Sequence, residues 1–126
     1  MTNQKKILYA EDDAIFHSVI SHRLEGIGVD IAPNLEEAVN LASKTDYDLF
    51  VSDGTYPLTK GGEVDKTAWR KFYEYLSSNK RSMEFILFSG DMDAIKDAKS
   101  LGIKAYSKLD LKMFIEYIKN KLKGGK

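Results

Sequence analysis

Short apolar runs and longer stretches with helical apolar spacing alternate five times along this chain. Residues 6–10 are an apolar run. Ile15, Val19, Ile20, Leu24 and Ile27 follow at helical spacing and predict a helix over 14–26, punctuated by Gly26 and Gly28. Val29 to Ala32 predicts a second strand. Asn34 stands three residues before Glu37, a capping-box spacing, and predicts a helix with Leu35, Ala38, Val39 and Ala42 on one face. Residues 48–52 predict the third strand, and 54–64, with Pro57, Gly61 and Gly62, a loop. Asp65 is expected to cap a helix carrying Trp69, Phe72, Tyr73 and Leu76 on its core side, with Tyr75 off that stripe and exposed. Phe85 to Phe88 is apolar throughout, as a strand covered on both faces is. Asp91 or Asp93 is expected to cap the helix of Ala94, Ile95, Ala98 and Leu101, which Gly102 ends. Ile103 to Ser107 predicts the fifth strand. Asp110 is expected to cap a last helix that turns Leu111, Phe114, Ile115, Ile118 and Leu122 inward.

Alternating strands and helices imply an α/β fold: one doubly wound, five-stranded parallel sheet with helices on both faces. No repeat or linker divides the chain, so a single domain over 1–126 is expected. In such sheets chemistry gathers beyond the carboxyl ends of the strands. Glu11, Asp12 and Asp13 follow the first strand, Asp53 the third, Ser89 and Gly90 the fourth, and Lys108 the fifth. The second ends in Ala32-Pro33, which carries no reactive group and suits a sheet edge.

Composition narrows the possibilities. There is no apolar run of about 18 residues, so no membrane helix is expected, and the first apolar run is too short for a signal-peptide core. Cysteine is absent, which excludes disulfides, thiol nucleophiles and cysteine metal sites and suits a cytoplasmic setting. Net charge is zero, which argues against nucleic-acid binding as the main task. The balance is uneven: residues 1–62 hold 5 basic and 10 acidic side chains, and residues 63–126 hold 14 and 9. The lysines from Lys112 to Lys126 read as a solvated helix face. His17 and His22, five apart, do not align as a metal pair.

Three consecutive carboxylates at a strand end repel one another unless a positive charge joins them, and a hard divalent cation such as Mg²⁺ suits that ligand set. A carboxylate can also act as a nucleophile and become an acyl phosphate. A lysine and a hydroxyl can then hold the phosphoryl oxygens, and phosphoryl transfer needs little more than such positioning and electrostatics.

The ordered set Glu11-Asp12, Asp53 with Pro57 four places on, Ser89-Gly90, and Tyr106 two before Lys108 resembles the receiver domain of two-component response regulators. The resemblance spans almost the whole chain. It implies the flavodoxin-like strand order 2-1-3-4-5. It implies Asp53 as phosphoacceptor, Mg²⁺ held by Asp12, Asp53 and the backbone carbonyl of Thr55, and Glu11 acting mostly through water. Asp13 is then a bystander or a helix cap. Ser89 and Lys108 would bind the phosphoryl group, and Tyr106 would be the switch aromatic. The implied partners are a histidine kinase or phosphotransfer protein and a downstream protein target. The protein would be a signalling module rather than a turnover enzyme, and with the chain ending at Lys126 no effector domain is expected.

Three departures qualify the resemblance. Leu109 replaces the usual proline after the lysine, so a trans Lys108–Leu109 bond is expected, which could swing the amine away. The loop after Asp53 is long, with Tyr56 where methionine is common. Thr55 and Asp91 occupy the variable positions that help set phosphoryl lifetime. The alternative is a pseudo-receiver that binds proteins with weak or no phosphorylation. A flavin-binding domain or small phosphatase is a third possibility, and the lack of a glycine-rich or Ser/Thr-rich loop after the first strand argues against flavin.

Overall fold

A computed structural model of the chain describes residues 5–79 and 84–123. Five parallel strands form one sheet: β1 (Lys6–Ala10), β2 (Gly28–Ala32), β3 (Leu49–Ser52), β4 (Phe85–Ser89) and β5 (Lys104–Ser107), in the order β2-β1-β3-β4-β5. Between and after them run α1 (Ala14–Arg23), α2 (Leu35–Lys44), α3 (Ala68–Asn79), α4 (Met92–Ser100) and α5 (Leu111–Lys123). Successive strand residues face opposite sides, and both sides are apolar, so the sheet builds two cores. Leu8, Phe50, Phe85 and Leu87 pack with α2, α3 and α4, while Ile7, Tyr9, Val51, Ile86 and Phe88 pack with α1 and α5. Strand β2 is at an edge, as Ala32-Pro33 suggests.

Several local expectations change. Helix α1 stops at Arg23, and Ile15 is 71% exposed. Counting back from the buried Ile20 by one turn reaches Phe16, which packs edge-on against Phe88. The loop after Asp53 contains a short antiparallel pair, Tyr56–Pro57 with Val64–Asp65. Asp65 does not cap α3: its carboxylate binds the backbone N–H and hydroxyl of Thr67, whose carbonyl takes the first helical bond from Lys71. Before α5 a 3₁₀ turn intervenes (Lys108–Asp110), capped by Ser107 rather than Asp110. Tyr75 is half-buried against the first core, not exposed. Asn34 caps α2, Asp13 caps α1 and Asp91 caps α4.

Candidate functional site

Sheet register brings the strand ends level. Ala10 pairs with Ala32 on one side and Ser52 on the other, and Ser89 pairs with Ser107. Each residue one step further, Glu11, Asp53 and Lys108, therefore projects beyond the same edge. The chain is pinned there by Asp53 N–H donating to the Ala10 carbonyl and Glu11 N–H to that of Ala32, both at 2.9 Å.

Glu11, Asp12 and Asp53 each offer a carboxylate oxygen, all within 4.8 Å of one another. Glu11 is fully buried and Asp53 nearly so, whereas Asp12 is exposed. Lys108 Nζ lies 2.7 Å from Glu11 Oε1 and 3.4 Å from Asp53 Oδ2. The Lys108–Leu109 bond is trans and yet the amine stays in the pocket. The trans expectation holds, and the feared loss of reach does not occur. Phe16 helps, its ring centroid 4.2 Å from Nζ.

Three carboxylates against one ammonium leave an excess of negative charge, and two of them, Glu11 and Asp53, are withdrawn from the water that would screen it. Burial, reinforced by the Glu11 charge and opposed by Lys108, pushes the Asp53 carboxyl up to about 7. Burial also raises Asp12, its own backbone hydrogen bond opposing. Desolvation pulls Lys108 down, but the hydrogen bond to Glu11 and the Asp53 charge outweigh it and hold the amine above its ordinary value. This donor set, all hard oxygens with unbalanced charge, fits a divalent cation of the Mg²⁺ kind.

Ser89 is buried beside Gly54, with its Oγ accepting from Asp91 N–H at 2.9 Å. The wall is tight: a Cβ on Gly54 would lie 2.7 Å from Ser89 Oγ and 3.2 Å from Ala94 Cβ. Gly54 N–H donates to Asp53 Oδ1 at 2.6 Å. Thr55, half-buried, continues that turn. Tyr106 is half-buried, and its ring packs on Phe114 and Tyr117 of α5. Asp13 stands aside as a cap: its Oδ1 accepts from Ile15 N–H at 2.9 Å. A cleft of about 290 Å³ lined by Tyr73, Glu84, Phe85, Gly102, Ile103 and Lys104 lies at the other end of β4 and β5, away from these groups.

The structure adds residues that sequence reasoning missed. Tyr9 donates to Glu11 Oε1 at 2.8 Å, and Tyr56 pairs with Ser52 Oγ at 2.8 Å. His17 Nε2 donates to the Glu11 carbonyl. A tyrosine within a strand covered on both faces is the available signal, because a buried phenol needs a partner.

The comparisons agree with this fold. A receiver domain of a Francisella response regulator superposes with a TM-score of 0.76, covering 98% of this chain and 100% of that one at 20% identity. The Thermotoga maritima response regulator TrrA, solved in complex with Mg²⁺ and BeF, gives 0.75 over 94% and 99% at 22% identity. The chain has the receiver fold. The non-phosphorylated HemR receiver domain from Leptospira biflexa gives 0.73 over 94% of each chain at 22% identity. No protein-family model and no curated protein matches the sequence. Within the receiver fold, the switch point between β1 and β3 is where strand order reverses, and the carboxylates of Glu11, Asp12 and Asp53 stand there.

Proposed function

We propose that the protein is a phosphoacceptor receiver, in which Asp53 takes a phosphoryl group from a histidine kinase or phosphotransfer protein. The carrying observation is the convergence of Glu11, Asp12, Asp53 and Lys108 beyond one sheet edge. An Asp53 oxygen forms the bond to phosphorus while the bond to the donor's nitrogen or oxygen breaks. Lys108 offsets charge on the phosphoryl oxygens, and Ser89, whose Oγ already accepts from Asp91, keeps its own proton to donate. Asp12, Asp53 and the Thr55 carbonyl would hold Mg²⁺, with Glu11 behind them; the ion would neutralise charge shared between acceptor and phosphoryl group. Tyr106 would report the change through its packing on α5, making a protein-docking surface the output. The cycle is signalling in the cytoplasm, not substrate turnover.

Incubation with acetyl phosphate and Mg²⁺, followed by intact-mass measurement, tests this. One phosphoryl group is expected, and none on Asp53→Ala. No gain, or an equal gain on the variant, overturns it. One observation favours a second reading, a pseudo-receiver: Lys108 sits closer to Glu11 than to Asp53. Mg²⁺ binding without phosphorylation would select that reading.

A further inference from the structure

Tyr9 is fully buried near the carboxyl end of β1. Its hydroxyl donates to Glu11 Oε1, the same oxygen that accepts Lys108 Nζ at 2.7 Å, and Glu11 Oε2 accepts Asp13 N–H at 3.2 Å. Lysine is a point charge on a flexible four-carbon stem. The residue after it offers no restraint through packing, since Leu109 is 92% exposed. The position of Nζ is set by Glu11, Asp53 and the Phe16 ring. Glu11 is the tightest of these, and it is anchored from beneath by a rigid aromatic ring locked in a packed core.

We propose that Tyr9 is a positioning residue for Lys108: its phenol pins Glu11 Oε1, and the pinned oxygen holds the ammonium within reach of Asp53. The consequence for phosphorylation rests on the phosphoacceptor reading; the geometric consequence does not. Without the hydroxyl, Glu11 Oε1 loses its anchor in the core, and the ammonium it holds loses a fixed place beside Asp53. Tyr56 supplies a matched control. It is equally buried, but in the core on the other sheet face, and its hydroxyl meets Ser52.

Nitrogen-detected NMR of the Lys108 ammonium in the full chain reads the geometry directly. Tyr9→Phe is expected to speed its proton exchange about tenfold or more, as a loosened hydrogen bond does, while Tyr56→Phe leaves it unchanged. At saturating Mg²⁺ and acetyl phosphate, Tyr9→Phe is expected to lower the phosphorylation rate constant about tenfold, with the Mg²⁺ half-saturation point moving less than about twofold. Incorporation of 3-fluorotyrosine at position 9 restores both. An unchanged Lys108 exchange rate in Tyr9→Phe overturns the proposal. Faster exchange in a protein that accepts no phosphoryl group supports the positioning role and overturns the phosphoacceptor reading instead. If Tyr9→Phe fails to fold, Lys108→Met reads the coupling from the other end: the ¹³Cζ shift of Tyr9 is expected to move and that of Tyr56 to stay, and a static Tyr9 signal overturns the proposal.

Discussion

At the scale of single residues, Gly54 and Asp53 show how little freedom the pocket wall leaves. A methyl group at position 54 meets Ser89 Oγ at 2.7 Å, inside any ordinary contact, with Ala94 behind it. Gly54→Ala is therefore expected to destabilise by about 1–3 kcal/mol in urea unfolding. Adding Ser89→Ala removes the clashing oxygen, so the double variant should lose less than the sum of the singles; strict additivity would show that the two do not touch. Asp53 carries the opposite lesson, a charge held where it is unwelcome. Its folded-state carboxyl is pushed up to about 7 from an ordinary 3.8, so between those values the folded protein binds more protons than the unfolded one. Without metal, its contribution to stability is greatest below the lower value and declines as pH rises through 7. Asp53→Asn should therefore be more stable than wild type at pH 8, by on the order of a few kcal/mol, and the gap should close toward pH 4. Unfolding curves of the two proteins across that range check the sign.

At the scale of elements, caps and phases explain what could be foreseen. Asn34 and Asp91 were readable because a short polar acceptor before an apolar helical stripe has one common use. Asp65 and Asp110 looked the same in sequence, but Asp65 spends its carboxylate on an Asx turn to Thr67 before α3 begins, and a 3₁₀ turn capped by Ser107 takes in Asp110 before α5. The phase of α1 was misjudged at Ile15 because apolar residues at 15, 16, 19 and 20 fit two stripes, and only packing against Phe88 selects Phe16. The strand ends were legible, as charged residues after apolar runs have nowhere to go but the sheet edge. The buried hydroxyl partners of Tyr9 and Tyr56 were not, because they depend on side-chain reach across the fold. Asp91 joins element to site: its carboxylate accepts from Asp93 and Ala94 N–H while its own N–H holds Ser89 Oγ. Asp91→Ala should lose about 1 kcal/mol of stability, and Asp91→Asn, which keeps the cap, should lose little; equal losses would place the effect in the charge instead.

At the scale of the molecule, the fold gathers charges that the sequence keeps apart. The acidic first half supplies Glu11, Asp12 and Asp53, the basic second half supplies Lys108, and parallel register sets them face to face. One ammonium does not balance three carboxylates, so the folded state carries a standing demand for a further cation that the unfolded chain does not share. Mg²⁺ should then raise stability by mass action, about 2.7 kcal/mol at a hundredfold excess over Kd. Because the proton on Asp53 competes with the ion, the apparent affinity should fall below pH 7, approaching tenfold per unit. Two controls separate this from general screening. Sodium chloride at matched ionic strength should give a much smaller shift, because a monovalent ion gains little from a cluster of hard oxygens. Asp12→Asn should weaken the Mg²⁺ response while leaving the Lys108 contacts to Glu11 and Asp53 in place. Thermal unfolding with each salt at pH 8 and pH 5.5 decides the matter: an equal response to both salts, or one that does not shrink in acid, would mean that the carboxylates at the switch point do not act as one site.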